Sequence, residues 1–203
     1  MFDINSAWDE LKKRVENCKK CGLCETRNNT VFGEGPQEKC KVMIVGEAPG
    51  EDEDLQGRPF VGKAGQLLTD ILEKGGKIPR NSVYVANTLK CRPPENRDPN
   101  QMELIACNDY LEAQILLLSP KIIVTLGNIA TKWLLKTKNG ITSLRGQWFK
   151  WRGIELFPMF HPSYLLREPS KAVGSPKYLT FQDVRSLKAK IDEIDEMEDK
   201  TKL

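Results

Sequence analysis

A chain of 203 residues is about one domain long, since a single core typically serves ~100–200 residues before a chain divides. Hydrophobic residues at 39%, charged residues at 29%, and 15 Gly and 12 Pro scattered along the chain exclude a collagen, a coiled coil and a wholly disordered polymer. The net charge of +3 is too small to imply a polyanionic partner by itself, and the longest apolar runs fall far short of the ~20 residues needed to span a bilayer.

The opening Met1-Phe2-Asp3-Ile4-Asn5 has neither a basic leader nor an apolar h-region, so a reducing cytoplasmic setting is expected. Ala7, Trp8, Leu11 and Val15 recur at helical spacing and predict a helix over 6–16 that runs into the first cysteines. A polar loop over 25–41 follows. Val42-Met43-Ile44-Val45, ending in Gly46, is a continuous apolar run of the buried-strand type. The same pattern returns at Val83-Tyr84-Val85-Ala86, at Ile122-Ile123-Val124-Thr125-Leu126 and at Ile154-Glu155-Leu156-Phe157.

Between these runs lie helical patterns. Leu67, Leu68, Ile71 and Leu72 mark one that stops at Gly75-Gly76; Leu104 to Ile115 mark a longer one that stops near Pro120; Ala130, Leu134 and Leu135 mark a third. From Asp183, a terminal helix carries Val184, Leu187, Ile191 and Ile194 before a frayed charged tail over 196–203; a solvated helix is the expected reading of this stretch, with a docking segment for other proteins as the alternative. Strands alternating with helices predict one domain over 1–203, a three-layer α/β/α fold with a mostly parallel four-stranded sheet. Ligands in such sheets bind beyond the carboxyl ends of strands, so the loops after Val45, Ala86, Leu126 and Phe157 are the ones to inspect.

Six cysteines in a reducing setting point to metal or redox chemistry rather than to disulfides. Cys18-Lys19-Lys20-Cys21 places two thiols within reach of one metal or cluster, and Cys91 and Cys107 are suited to complete a set of four. Such a set takes either a tetrahedral zinc or a [4Fe–4S] cluster, and spacing does not choose between them. Cys24 continues a ferredoxin-like run, but the next position of that run is Asn28. A thioredoxin-like role needs the pair just after a strand, whereas this one follows a helix.

Three loops carry further chemistry. Gly46-Glu47-Ala48-Pro49-Gly50 precedes a run of acids and then Gly57-Arg58-Pro59-Phe60-Val61-Gly62, where Gly62-Lys63-Ala64 lacks the hydroxyl of a phosphate loop and Phe60 is suited to stacking on something flat. Asn87 puts an amide at a strand end, where its donors and acceptor suit the edge of a nucleobase. His161, the only histidine, follows the last strand in His161-Pro162-Ser163-Tyr164-Leu165-Leu166-Arg167.

These motifs, in this order and interleaved with the four cysteines, resemble those of the family 4 uracil-DNA glycosylases, the iron–sulfur type of archaea and thermophilic bacteria, over about residues 18–167. The resemblance implies a [4Fe–4S] cluster on Cys18, Cys21, Cys91 and Cys107, with Cys24 and Cys40 outside it. It implies an enzyme that hydrolyses the N-glycosidic bond of uracil in single- and double-stranded DNA, initiating base excision repair, and works as a monomer beside replication or repair proteins. Phe60 would stack on the flipped base, Asn87 read its O4 and N3–H, and His161 stabilise the charge that develops on O2. Where other uracil glycosylase classes carry Asp or Asn to orient the attacking water, this chain has Ala48, so Glu47 or the backbone around Gly46 takes that role. Where others carry a Tyr against the thymine methyl, this chain has Gly50, and Glu53 is the candidate for that space. Leu165 or Leu166 would wedge the base step, with Arg167, Arg92, Arg97 and Lys90 toward phosphate. Two rivals are a related class whose histidine bonds covalently to the sugar, trapping uracil DNA, and a four-cysteine zinc module that binds nucleic acid. The basic insertion ahead of the histidine that marks the trapping class is not seen near His161.

Overall fold

The structure, a computed structural model, describes residues 3–38 and 40–201, with only the backbone at position 201; the first two residues of the opening segment, Lys39 of the polar loop and the last two residues of the tail lie outside the described residues. Strands β1 (Val42–Gly46), β2 (Val83–Asn87) and β3 (Ile122–Leu126) are buried at every position, as expected where helices cover both sheet faces. With β4 (Phe149–Trp151) and β5 (Ile154–Met159) they form one sheet in the order β2-β1-β3-β5-β4, parallel except for β4 against β5. The sheet therefore has five strands rather than four. The added strand is a three-residue edge, turned by Arg152 and Gly153, both in the left-handed region as a tight hairpin requires.

Because side chains alternate along a strand, each strand feeds two cores. Met43, Val45, Tyr84, Ala86 and Ile123 face helix α1 (Ile4–Glu16) and the eighteen-residue α4 (Gln101–Leu118). Val42, Ile44, Val83, Val85 and Val124 face the other layer, formed by α3 (Lys63–Asp70), its π-helical continuation Ile71–Gly75, and the terminal helix. Helix α4 starts with a capping box in which Asn100 and Glu103 satisfy each other's backbone N–H groups, and stops at Ser119 in the left-handed region.

The terminal helix runs over Pro176–Thr201, so it begins earlier than the pattern from Asp183 suggests and does not dissolve at Glu196. Two ion pairs hold its end: Lys41, at the root of β1, binds Asp195 and Glu198. Among the described residues no helix is long and apolar enough to cross a membrane. Strand β1 is followed on one side by β2 and on the other by β3, so chain direction across the sheet reverses there, and the loops leaving β1 and β3 open a crevice.

Candidate active site

That crevice is a cavity of about 670 Å³, and it gathers Asn87 from the end of β2 with Glu47, Phe60 and His161 from three loops. The loop after β1 sets its floor. Gly46 leaves no room for a side chain, because a Cβ there would meet Asn87 Oδ1 at 2.4 Å and the Phe60 ring at 2.6 Å. Glycine is therefore what lets the amide and the aromatic ring close on one spot.

Phe60 has φ 54°, a conformation disfavoured for a bulky L-residue that persists only where neighbours impose it. Glu53, in the short helix α2 (Glu51–Gln56), imposes it: its carboxylate accepts the N–H groups of Val61 and Gly62 at 2.8 Å and of Gly50 at 3.1 Å. Gly65 allows the turn, since a Cβ there would fall 1.8 Å from the Phe60 carbonyl oxygen. Glu53 borders the cavity while holding its aromatic wall.

Asn87 closes β2, paired with Gly46, and is only 2% exposed. Its Oδ1 is buried with no hydrogen-bond partner among the described residues. A buried acceptor left open costs on the order of 1–3 kcal/mol, so it marks a place where a donor is expected to arrive.

His161 caps the six-residue helix α7 (Pro162–Arg167): its Nδ1 accepts the backbone N–H of Ser163 at 3.2 Å and lies 2.8 Å from the Ser163 hydroxyl. With Nδ1 held as acceptor, the ring proton sits on Nε2, the edge free to donate. Burial, and then the charge of Arg167, pull the imidazole pKa down to about 4, so the ring is neutral at physiological pH. Its ring centroid lies 5.9 Å from that of Phe60. Gly127, at φ +82°, opens helix α5 (Gly127–Leu135) tightly against it, where a Cβ would come 3.0 Å from the His161 Cβ. Glu47 is half-buried, and burial followed by the nearby charge of Asp98 raises its carboxyl pKa to about 7.

Ala48 and Arg167 also border the cavity, whereas Gly46 lies behind its wall. Leu165 does not reach it: at 1% exposure it packs with Ile141 and Phe160, so it is a core residue and not a wedge. Leu166, 47% exposed on the same helix, is the leucine free to meet a ligand. Lys90 cannot touch phosphate either, being 1% exposed with its ammonium bonded inward. Arg97 borders the cavity but is tied by Glu103 at 2.6 Å, and Arg92 bonds Asn96 while lying 3.8 Å from Glu51. Asp98, Asn128 and Thr142 line the cavity without having been singled out in the sequence. The strand-end rule pointed at Asn128 through the loop after Leu126, but its residue type alone did not.

A second cavity lies on the α4 side. Cys18, Cys21, Cys91 and Cys107 line it, and so does Cys24, which therefore is not remote from the set. Cys40 is, buried elsewhere with its thiol toward the Val42 carbonyl. Arg27 donates to Cys91 Sγ at 3.1 Å and to the Cys18 carbonyl at 2.9 Å, and the Lys90 N–H donates to Cys107 Sγ at 3.3 Å. Burial raises the Cys91 thiol and pushes Cys107 up to about 11. None of the six cysteines is in a disulfide.

Residues 32–185 match the family model described as the uracil DNA glycosylase superfamily. The chain is 45% identical over 170 residues to a type-4 uracil-DNA glycosylase of Sulfurisphaera tokodaii, covering 80% of this chain and 77% of that one. It is 43% identical over 169 residues to one of Saccharolobus solfataricus, covering 79% and 78%. It is 41% identical over 191 residues to one of Thermotoga maritima, covering 93% and 97%.

Proposed function

The chain belongs to the uracil DNA glycosylase superfamily and, within it, to the type-4 uracil-DNA glycosylases, and from that membership we propose how its residues excise uracil from DNA. It is a monofunctional glycosylase that hydrolyses the bond between uracil N1 and the sugar, opening base excision repair. Its residues 1–203 act as one catalytic domain, monomeric and cytoplasmic, on single- and double-stranded uracil DNA.

The single observation that carries the site assignment is the convergence of Phe60, Asn87 and His161 on one cavity, with a buried acceptor unfilled and an imidazole N–H free. A flipped uracil stacks on Phe60. Asn87 Oδ1 accepts from uracil N3–H and its amide N–H donates to O4; cytosine offers the opposite pattern and leaves both groups unpaired, a penalty that supports discrimination of ~10⁴–10⁵. As the bond to the sugar breaks, the electron pair moves onto the base and O2 gains charge, which the neutral His161 Nε2–H stabilises. Removing such a donor typically costs ~10²–10³ in rate. Glu47, as carboxylate, orients the attacking water. Leu166 fills the vacated base step, and Arg167 and Arg92 face phosphates.

Cys18, Cys21, Cys91 and Cys107 would hold a [4Fe–4S] cluster, which would cross-link three separate chain segments and take no part in bond breaking. What supports a cluster is the donor set: Cys18, Cys21, Cys91 and Cys107 line one cavity, with the Arg27 guanidinium donating to Cys91 Sγ.

The test is excision from uracil-containing single-stranded DNA. Wild type is expected to release free uracil on repeated turnover, with His161→Ala slowed ~10²–10³-fold and Asn87→Ala losing preference for uracil over cytosine. A stable protein–DNA adduct in place of free uracil, or a His161→Ala variant as fast as wild type, would overturn the assignment.

A further inference from the structure

Lys90 is a buried cation with no carboxylate partner among the described residues. A buried ammonium is costly to desolvate and persists only where hydrogen bonds and nearby charge compensate it, here two acceptors and the adjacent Cys107 and Cys91. Its Nζ donates to the Asn87 carbonyl oxygen at 2.8 Å and to Gln114 Oε1 at 2.7 Å, while its own backbone N–H donates to Cys107 Sγ at 3.3 Å. Gln114 is itself fixed, its amide donating to the Phe32 carbonyl at 2.8 Å and to the Tyr84 hydroxyl at 3.2 Å. One residue is thus fastened at one end to the cysteine cavity and at the other to Asn87.

That second attachment matters because no protein hydrogen bond holds the Asn87 Oδ1. The aim of the amide rests on packing against Gly46 and Phe60 and on where its main chain is held at the end of β2. Lys90 grips that main chain. We propose that Lys90 is a positioning residue that aims the base-reading amide of Asn87 and couples its aim to the order of the cysteine site. This rests on the reading of Asn87 given above.

The test is a double-mutant cycle on the iron-loaded enzyme with Lys90→Met, Asn87→Ala and the pair. The diagnostic quantities are kcat/KM on single-stranded uracil DNA and inhibition by free uracil, with visible absorbance and affinity for abasic-site DNA as controls. Displacing a reacting or reading group by about 1 Å can cost ~10²-fold, so Lys90→Met is expected to lower kcat/KM by ~10–100-fold and weaken uracil inhibition about tenfold. Visible absorbance and affinity for abasic-site DNA should stay as in wild type. In the Asn87→Ala background the same substitution should change kcat/KM less than about threefold, the non-additivity of two residues acting as a unit. Equal losses in both backgrounds would show a merely structural lysine and overturn the proposal, as would a Lys90→Met enzyme indistinguishable from wild type. If instead Asn87→Ala leaves both readouts unchanged, it is the base-reading role of Asn87 that fails, and the coupling falls with it. Should Lys90→Met not fold, Gln114→Met removes one acceptor from the ammonium; a smaller loss that vanishes in the Asn87→Ala background supports the proposal, and a loss equal in both overturns it.

Discussion

Glu47 and His161 border one cavity, yet burial acts on them in opposite directions: it favours the uncharged form of each, so the carboxyl rises to about 7 and the imidazole falls to about 4. The two therefore titrate in different windows. If the Glu47 carboxylate orients the water, kcat/KM should climb with pH through about 7, a limb that reports the free enzyme. His161, already neutral there, adds nothing to it. Glu47→Gln should flatten the limb and lower the plateau; Asp98→Asn should move the limb to lower pH, because removing a neighbouring negative charge favours the carboxylate. A limb near pH 7 that survives in Glu47→Gln would exclude this role. The linkage has the reverse sign for stability. Folded Glu47 holds its proton between its ordinary value of 4.5 and about 7 while the unfolded chain has released it, so this group's contribution is present at low pH and lost as pH rises through that window. Activity and stability should diverge across it. At this scale Asn87 at the end of β2, His161 just after β5 and Phe60 in the loop between α2 and α3 were legible as residues of one cavity, because an amide, an imidazole and an aromatic have few other reasons to sit there. The burial of Lys90 and Leu165 was not legible, since sequence gives a side chain's chemistry but not the direction in which packing turns it.

Helix α7 shows the same division at the scale of an element. Its six residues expose Leu166 and bury Leu165, although the two are adjacent and chemically identical, and only the helical rotation between them decides which meets a ligand. Leu165→Ala should act through stability, costing about 2–5 kcal/mol as buried leucines do, with equal proportional loss on single-stranded and duplex substrate at temperatures near melting. Leu166→Ala should leave the melting temperature alone and slow excision from duplex about tenfold more than from single strand, roughly 1.4 kcal/mol out of the few that unstacking a base step costs. Equal losses on both substrates for Leu166→Ala would exclude a wedge. The strands were legible because a mostly apolar run of four or five residues between turn signals is too short for a buried helix and suits a strand covered on both faces. The edge strand β4 was not: Phe149-Lys150-Trp151 is too short for a pattern, and its pairing depends on the hairpin turn at Arg152-Gly153. The early start of the terminal helix was legible but not read: Tyr178 and Phe181 continue the spacing of Val184 and Leu187 back toward Pro176, a residue suited to a first helical turn.

Across the whole molecule, the crevice at the reversal of strand order and the cysteine cavity lie on the same β2–α4 connection. Cys91 follows β2 by four positions and Cys107 lies in α4, while Cys18 and Cys21 follow α1. A centre bound to all four would join the N-terminal segment to the wall of the substrate cavity across nearly half of the chain. By the loop-closure arithmetic that applies to other cross-links, tying positions so far apart contributes on the order of 4 kcal/mol. Cys107→Ser should accordingly lose iron and visible absorbance and melt roughly 10 °C lower, at ~2–4 °C per kcal/mol for a chain of this size. Cys24 borders the same cavity, so its substitution is the discriminating control. Cys24→Ser is expected to keep iron, colour and melting temperature, because the resemblance leaves this thiol out of the ligand set. Iron quantification, absorbance near 400 nm and thermal denaturation by circular dichroism read all three quantities on the same samples. A Cys24→Ser variant that loses its iron while Cys107→Ser retains it would exchange the two residues' places, and α4 would then be attached to the N-terminal segment without a thiolate of its own, by the packing of Trp8, Leu11 and Val15, the Lys20–Asp109 ion pair and the bond from the Tyr110 hydroxyl to the Arg14 carbonyl.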